Sequence, residues 1–475
     1  MMGGKEISER NYVLESRNQY QQFSEDRGSS IDSRENAFDD MSELIVNEED
    51  DKKSSMHYAS FNFINSIIGS GVIGIPYALH QAGFGFGVLL LVLVAYITDY
   101  SLILMIKAGH ISGRFSYQGI MEAAFGRAGY ILLGILQFVY PFIAMVSYNV
   151  VVGDTVTKVI IRLTDIEPDN IFAKREIIVL IATIFITVPL SLYRDIAKLA
   201  KISFFSLVCI GFILLSILLR IRTISKIVPD HPDSWRFFNS DIIPAVGIMA
   251  FAFMCHHNTF LIYSSIADTS QKKWETVTHA SILTSLIVSC IFGIAGYATF
   301  KAYCQGDLLE NYCWDDDLMN ASRILFSIQI LLTYPIECFV TRGVIENSII
   351  SKDPNVPMSE RTHYAITLSI VFTTYFISMA TDCLGVVLEL NGVLAAVPLA
   401  FVLPAFCYLR LEEGRIFDRN KLPALGVAFF GLSVTTLGVI FLFMDIDQIN
   451  QCSHGVVMDY CSLRYLNVTQ NSTEI

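Results

Sequence analysis

The sequence predicts an all-α polytopic membrane protein with about eleven transmembrane helices. The chain has 475 residues, of which 53% are hydrophobic and only 16% are charged, and its mean hydropathy is +0.50. Soluble domains carry about 25% charged residues. The apolar residues come in runs of about 18 to 25, the length that crosses a hydrocarbon core of roughly 30 Å. These observations exclude a soluble enzyme, a nucleic-acid binder and a disordered scaffold.

The apolar runs recur along nearly the whole chain after its acidic start. They are expected to be helices, because the backbone must satisfy its hydrogen bonds internally in lipid and no barrel-like alternation is visible. The expected spans are 58–79, 84–106, 130–153, 177–193, 201–221, 242–265, 279–300, 319–345, 364–381, 384–409 and 421–444.

Three regions follow from this pattern. Residues 1–55 hold fourteen acids and seven bases and are rich in serine, which predicts an acidic, disordered cytoplasmic tail. This tail has no apolar core of a secretory signal peptide. Residues 56–445 form the membrane domain, and residues 446–475 form an extracytoplasmic C-terminal tail.

The distribution of Lys and Arg predicts the orientation. With a cytoplasmic N-terminus, 22 of the 33 basic residues lie in the tail and the cytoplasmic loops, in agreement with the positive-inside rule. An odd number of spans then puts the C-terminus outside. The sequons at Asn467 and Asn471 in the C-terminal tail agree with this side and are candidate glycosylation sites.

Four cysteines lie on the predicted oxidising side. Cys304 and Cys313 flank the loop after the seventh span, and Cys452 and Cys461 lie in the C-terminal tail. Each pair is nine residues apart, so local disulfides are expected, Cys304 with Cys313 in the loop. Pairing across the two segments and free thiols are the alternatives.

Small and helix-breaking residues cluster in the first span. Glycine lowers the cost of leaving helical geometry, and proline removes a backbone donor. A break in the membrane exposes N–H groups that suit a carboxylate and carbonyls that suit a cation. Close helix packing is the alternative explanation for small residues. The cluster consists of Gly69, Ser70, Gly71, Gly74 and Pro76, with Asn62 and Asn65 nearby.

The sixth span carries a polar run, Cys255-His-His-Asn-Thr259, inside an apolar segment. Adjacent side chains of a helix point about 100° apart, which is poor spacing for a metal site. Polar groups at this depth face a cavity or a neighbouring helix. A packed, hydrogen-bonded histidine is the alternative to a functional one.

The two unusual spans are five helices apart. Polar interruption at corresponding positions of two five-helix halves is typical of inverted-repeat transporters with a site at the bilayer midplane. The inference uses hydropathy and position, since no repeat is visible as sequence identity.

The eighth span places Thr333 and Glu337 inside the membrane. A Thr hydroxyl is an oxygen ligand suited to a small cation, although it more often bonds back to its own helix. An acid within a membrane segment is a functional hypothesis by default. Asp99 and Glu389 are further acids, near the span ends.

Several motifs together resemble the sodium-coupled neutral amino acid transporters, solute carrier family 38, of the amino acid/auxin permease superfamily. The likeness covers roughly residues 55–445. The motifs are Asn65-Ser-Ile-Ile-Gly-Ser-Gly-Val-Ile-Gly, Phe251-Ala-Phe-Met-Cys-His, Ile262-Tyr-Ser-Ser, Gly296-Tyr-Ala-Thr-Phe, Leu332-Thr-Tyr-Pro and Phe401-Val-Leu-Pro-Ala-Phe-Cys-Tyr-Leu.

The resemblance implies eleven spans, a LeuT-like five-plus-five inverted repeat with one extra helix, and secondary active transport of neutral amino acids by Na⁺-coupled symport. It places the Na⁺ site at Asn65 and Thr333. The implied substrate residues are Gly69, Ser70 and Gly71 of the first span, and Phe251 and His256 of the sixth.

Two departures keep alternatives open. The chain has His257-Asn258 where the family often has proline, and Ile75-Pro76 resembles proton-coupled and vacuolar branches of the superfamily. Proton coupling, an endolysosomal transporter and a non-transporting amino acid sensor therefore stay as alternatives. Asp40-Met-Ser-Glu-Leu-Ile resembles an acidic dileucine signal, which adds the endolysosome to the expected plasma membrane.

No enzyme activity, cofactor or nucleic-acid partner is expected, since no catalytic motif is present. The expected partners are an amino acid substrate, Na⁺ and the lipid bilayer, and the expected state is a monomer.

Overall fold

A computed structural model describes residues 55–164, 166, 170–193, 203–266, 269–346, 359–381, 383–444 and 458–461. The predicted tail up to residue 54, Cys452 and the sequons at Asn467 and Asn471 lie outside these residues. Every regular element within them is helical.

The described residues contain nine helices that are long and apolar enough to cross a membrane. They are Phe84–Ser112, Tyr117–Thr164, Phe205–Ile224, Ile242–Ser265, Gln271–Tyr303, Asp317–Ile345, Glu360–Ala380, Leu384–Leu411 and Leu422–Leu442. A bent pair, Met56–Ile67 with Ser70–Ala82, precedes them. With the shorter segment Arg175–Ser191, these elements match the eleven predicted spans, which we number one to eleven in chain order.

Spans three and four differ from expectation. Span three is longer than predicted because a preceding helix runs directly into it, with a kink at Gly126 (φ 62°). Span four is irregular: a π-helical turn over Thr183–Thr187 separates Arg175–Ala182 from Val188–Ser191. Proline at the start of that last segment removes a backbone donor, which favours such a local change of helix type.

Span ten lies inside the bundle and span eleven lies at its edge. In the most apolar stretch of each, 83% of span ten is buried within the protein against 28% of span eleven. Span eight packs along span three, and span seven packs against spans one and two. Spans one, three, six, eight and ten therefore surround the middle of the molecule.

Spans six and ten approach each other closely at Gly247 and Gly392. A Cβ atom added to Gly392 would lie 2.0 Å from the Gly247 carbonyl oxygen, and one added to Gly247 would lie 3.2 Å from the Glu389 carbonyl oxygen. The contact leaves no room for a side chain at position 392 and little at position 247. It fixes the first half of span six against the interior helix.

The expected disulfide between Cys304 and Cys313 is not formed. Cys313 pairs with Cys461, 148 residues away, with a Cα–Cα distance of 5.6 Å, while Cys304 is a buried free thiol. The Cys304 thiol instead contacts the Gly296 carbonyl at 3.8 Å, so its side chain points into the core. The observed bond is the cross-segment alternative, and it ties the loop after span seven to the C-terminal segment.

Substituting Gly392 tests the contact between spans six and ten. Gly392→Ala must push two backbones apart, and we expect a loss of about 1–3 kcal/mol of stability. The matched control is Gly426→Ala in span eleven, where nothing lies within 4 Å of the added Cβ. Thermal unfolding in detergent measures both. Equal midpoints for the two variants would contradict the contact.

Candidate functional site

Span one is broken in its middle, as its glycines predict. The helix ends at Ile67, Gly69 has φ −131° and ψ −149°, and a 3-10 turn covers Ser70–Gly74. An α-helix resumes at Ile75, with Pro76 in its first turn. The two parts are bent by 49°. Main-chain groups at the break lack α-helical partners and are available to a ligand.

Span six is also broken, although the chain lacks the proline that the family often has there. Its first helix ends at Ala252, and Phe253 (φ −98°, ψ 8°) leaves helical geometry. Cys255 (φ −140°, ψ 4°) precedes a 3-10 turn over His256–Asn258. The helix resumes at Thr259. The polar run predicted from the sequence therefore occupies the break.

The two breaks touch each other. A Cβ atom added to Gly71 would lie 2.7 Å from Ala252 Cα and 3.1 Å from the Phe251 ring. Close by, the Asn258 side-chain amide donates a hydrogen bond of 2.7 Å to the Ser66 hydroxyl. The structure thus brings together backbone from both five-helix halves.

The predicted substrate residues of span one have different surroundings. Gly69 faces open space, with no atom within 4 Å of an added Cβ. Ser70 is half-buried and interacts with the Tyr148 side chain of span three. Gly71 is buried beneath Ala252. Gly69 and Ser70 are therefore placed to contact a ligand, and Gly71 is placed to pack the breaks together.

The predicted substrate residues of span six are buried. Phe251 packs against Tyr140 of span three, with ring centroids 5.8 Å apart. His256 is fully buried, and neither ring nitrogen has a hydrogen-bond partner among the described residues. A buried polar group without a partner is costly. Both ring nitrogens of His256 are therefore able to form hydrogen bonds with a ligand or water. The alternative interpretation, a packed and hydrogen-bonded histidine, does not account for this.

The two predicted cation ligands each offer an oxygen. Asn65 Oδ1 is buried and has no hydrogen-bond partner within the described part of the chain. The Thr333 hydroxyl donates to the Gln329 carbonyl of its own helix at 2.9 Å, which leaves its lone pairs free to accept. No hydrogen bond joins the two side chains. Both oxygens suit a small monovalent cation such as Na⁺.

One further residue of the predicted polar run lies at the break in span six, and sequence reasoning missed two tyrosines of span three. Thr259 is fully buried, and its hydroxyl has no partner among the described residues. Tyr140 and Tyr148 of span three lie next to the two breaks. The ring centroids of Tyr140 and His257 are 6.0 Å apart, and the Tyr148 side chain interacts with Ser70. Eight-residue spacing keeps two side chains on nearly one helix face. Aromatic residues at such spacing usually serve only to pack helices together, so the spacing of the two tyrosines was a weak signal of a functional role.

The outer side, defined here as the side that carries the loop between spans seven and eight, is closed over the breaks. Gly306 of this loop lies against Gly385 of span ten and near Gly74 of span one. The 3-10 turn Leu308–Asn311 that follows is buried. The loop therefore covers the outer ends of two central spans.

Buried charges hold this loop in place. Arg323 of span eight donates to the carbonyls of Leu309 at 2.8 Å and Tyr312 at 2.5 Å. Lys158 of span three donates to the Glu310 carbonyl at 2.6 Å, with its carboxylate 3.7 Å away. Opening the outer side must break these contacts.

A separate cavity of about 320 Å³ opens on the outer face. It is lined by His80, His231, Arg236 and neighbouring residues of the outer loops. None of the predicted ligand residues lines it, so the two breaks remain the candidate site.

Substitutions at two neighbouring glycines separate packing from ligand access. Gly71→Ala forces its Cβ against backbone, and we expect a loss of about 1–3 kcal/mol of stability. Gly69→Ala meets open space, and we expect less than about 1 kcal/mol. Thermal unfolding in detergent measures both variants. A Gly71→Ala protein as stable as Gly69→Ala would show that the breaks do not touch.

The loop carboxyl of Asp307 predicts a pH dependence. Burial raises its pKa to about 7, with the nearby acids Glu310 and Asp154 adding to the shift. The unfolded chain has a pKa of about 3.9, so the folded protein binds more protons between about pH 4 and 7. Stability should therefore fall as the pH rises through this window. In Asp307→Asn this part of the dependence should vanish in thermal-unfolding series; an unchanged slope would rule out a protonated Asp307.

Comparison with known proteins agrees with the geometry. The family model for "Transmembrane amino acid transporter protein" matches residues 52–444. A solved structure, MhsT in complex with L-phenylalanine, has a TM-score of 0.55 at 11% identity and covers 80% of this chain and 97% of that chain. This likeness shows the LeuT-like fold of two inverted five-helix repeats.

Curated relatives are similar along most of their length. "Putative sodium-coupled neutral amino acid transporter 11" of Danio rerio is 45% identical over 433 residues, which is 88% of this chain and 95% of the relative. The protein of that name in Homo sapiens is 42% identical, over 83% and 95%. "Vacuolar amino acid transporter 2" of Saccharomyces cerevisiae is 31% identical, over 86% and 87%. These are transporters and not enzymes, and the chain belongs to the family of transmembrane amino acid transporter proteins that the resemblance to solute carrier family 38 predicted.

Proposed function

We propose that this protein is a secondary active transporter of neutral amino acids that works by alternating access and is driven by Na⁺. The observation that carries the proposal is the contact between two broken spans at Gly71 and Ala252, with unpartnered polar atoms on both sides. Broken helices of this kind form the substrate and ion sites of inverted-repeat transporters.

The substrate lies at the two breaks. Its carboxylate takes the free N–H groups around Gly69 and Ser70, which open space reaches. Its amine takes carbonyl groups of the same break, and its side chain is directed toward Phe251 and His256. Because Phe251 is apolar and packed on Tyr140, an uncharged side chain fits this environment.

The driving cation lies between spans one and eight. Asn65 supplies a buried carbonyl oxygen with no other partner in the described residues, and Thr333 supplies a hydroxyl. Binding of the cation stabilises the arrangement that accepts the amino acid, and by linkage the amino acid strengthens cation binding by the same factor.

Topology and location complete the proposal. The N-terminus is cytoplasmic, residues 1–55 and 446–475 flank a transporter domain over 56–445, and Asn467 and Asn471 carry glycans on the extracytoplasmic side. The protein acts as a monomer at the plasma membrane. The 31% identity to a yeast protein named as vacuolar favours an endolysosomal transporter as the second candidate, and the resemblance of Ile75-Pro76 to proton-coupled branches adds a proton as its driving ion.

Purified protein in liposomes tests the function. Labelled neutral and cationic amino acids are offered in Na⁺, Li⁺ and choline media at two pH values. Saturable uptake that needs Na⁺ supports the proposal, and uptake in choline driven by acid pH supports the second candidate. Saturable binding without flux would instead identify a sensor.

Two substitutions test the cation ligands. In Asn65→Ala and Thr333→Ala we expect the Na⁺ concentration for half-maximal uptake to rise about tenfold, because an oxygen contact to a charge is lost. Thr436→Ala is the matched control, since Thr436 also bonds to its own helix, at 2.8 Å from the Leu432 carbonyl, but lies in span eleven. Unchanged Na⁺ activation in both variants would exclude the site.

A further inference from the structure

Glu337 differs from four of the six acids that are buried among the described residues. Four buried acids each have an arginine, lysine or histidine partner within 4 Å. These pairs are Asp99–His279 at 2.7 Å, Asp154–Arg175 at 3.0 Å, Glu310–Lys158 at 3.7 Å and Asp316–Arg220 at 2.7 Å. An acid in a membrane protein is normally paired in this way.

Glu337 has no such partner among the described residues. It lies near the middle of the apolar part of span eight, one helical turn beyond Thr333, and is half-buried. The nearest basic residue of its own helix, Arg342, bonds to the Ser191 carbonyl at 3.0 Å and to the Thr367 hydroxyl at 2.9 Å. Arg342 is therefore directed toward spans four and nine.

Two phenols of span three lie within electrostatic reach of Glu337. Its charge interacts with the phenols of Tyr140 and Tyr148. Tyr140 packs on Phe251 and 6.0 Å from His257 of span six. The carboxylate is thus connected through two side chains to both broken spans.

Other titratable groups near span eight are engaged elsewhere. His363 of span nine contacts the Leu192 carbonyl at 3.1 Å. Tyr334 of span eight contacts the Thr374 hydroxyl at 2.6 Å. The Cys338 thiol is buried, and so are Cys255 and His256 at the break in span six. None of these residues is a basic partner for Glu337.

We propose that Glu337 supplies the negative charge that balances the transported cation, a role that rests on the proposed function. The oxygens of Asn65 and Thr333 are neutral, so they cannot offset the charge of the cation. A carboxylate one helical turn from Thr333 can, and in a low-dielectric interior such a charge interacts strongly with a cation. The shared chemistry is a small monovalent cation, Na⁺ or a proton.

The test uses the full-length protein with Glu337→Gln, which keeps the shape of the side chain and removes its charge. The control is Glu346→Gln, the same change at the end of the same helix, outside the apolar segment. Liposomes receive either a Na⁺ gradient at equal pH or a pH gradient in choline medium. Amino acid counterflow without ion gradients and ion-induced shifts in thermal unfolding are measured in parallel.

We expect Glu337→Gln to lose accumulation under whichever gradient drives the wild type and to keep counterflow. We also expect its apparent cation affinity to fall by about tenfold or more, since a contact between charges is lost, and the thermal shift caused by that cation to fall with it. The gradient that drives the wild type identifies the cation. Glu346→Gln should match the wild type in every measurement.

Three results would overturn the role of Glu337. The first is gradient-driven accumulation by Glu337→Gln at the wild-type level. The second is loss of counterflow in a folded variant, which would place Glu337 in substrate binding. The third is an equal cation-induced thermal shift in both proteins, or none in the wild type. A wild type without any amino acid flux would refute the proposed function separately, while the thermal shifts would still decide the role of Glu337.

Discussion

The contact between the backbones of spans one and six is the constraint on which the site depends. Gly71 and Ala252 meet at a distance that no side chain at position 71 would permit. The contact puts two interrupted helices side by side, so their free main-chain groups share one space. In lipid such groups are tolerated only beside a cavity or within protein. The oxygens of Asn65 and Thr259 and the ring nitrogens of His256 lack partners in the described residues, and all three residues lie within a few positions of these breaks.

Charge is arranged differently at the outer end and in the middle of the bundle. At the outer end, Lys158 and Arg323 bind the loop between spans seven and eight through its carbonyls and through Glu310. These contacts are strong while water is excluded, but an ion pair is worth little once it is hydrated. When the loop opens, its charged groups exchange contacts with protein for contacts with water. This exchange lowers the free energy needed to open the loop. The closed arrangement of the loop can therefore be stable and yet able to open.

The sequence predicted the fold and the first break because their signals are local. Long apolar runs indicate the spans, and the break in span one is indicated by Gly69, Gly71 and Pro76. The break in span six has no proline, so only its polar residues marked it. The partner of Cys313 could not be predicted, because Cys461 is brought to it by tertiary folding across 148 residues. Tyr140 and Tyr148 were missed for a similar reason, since their roles depend on which helices lie opposite.

The proposed role of Glu337 would give the proposed coupling a simple electrostatic reason. A neutral amino acid is a zwitterion without net charge, so it leaves a bare carboxylate near the midplane uncompensated. A conformational change that carries this charge through a low-dielectric interior is costly. If one monovalent cation joined the substrate, the loaded site would be neutral and the same change would cost less free energy. In this proposal, passage of the substrate alone would be disfavoured by the protein's own charge, and coupling would not require a direct contact between the cation and the amino acid.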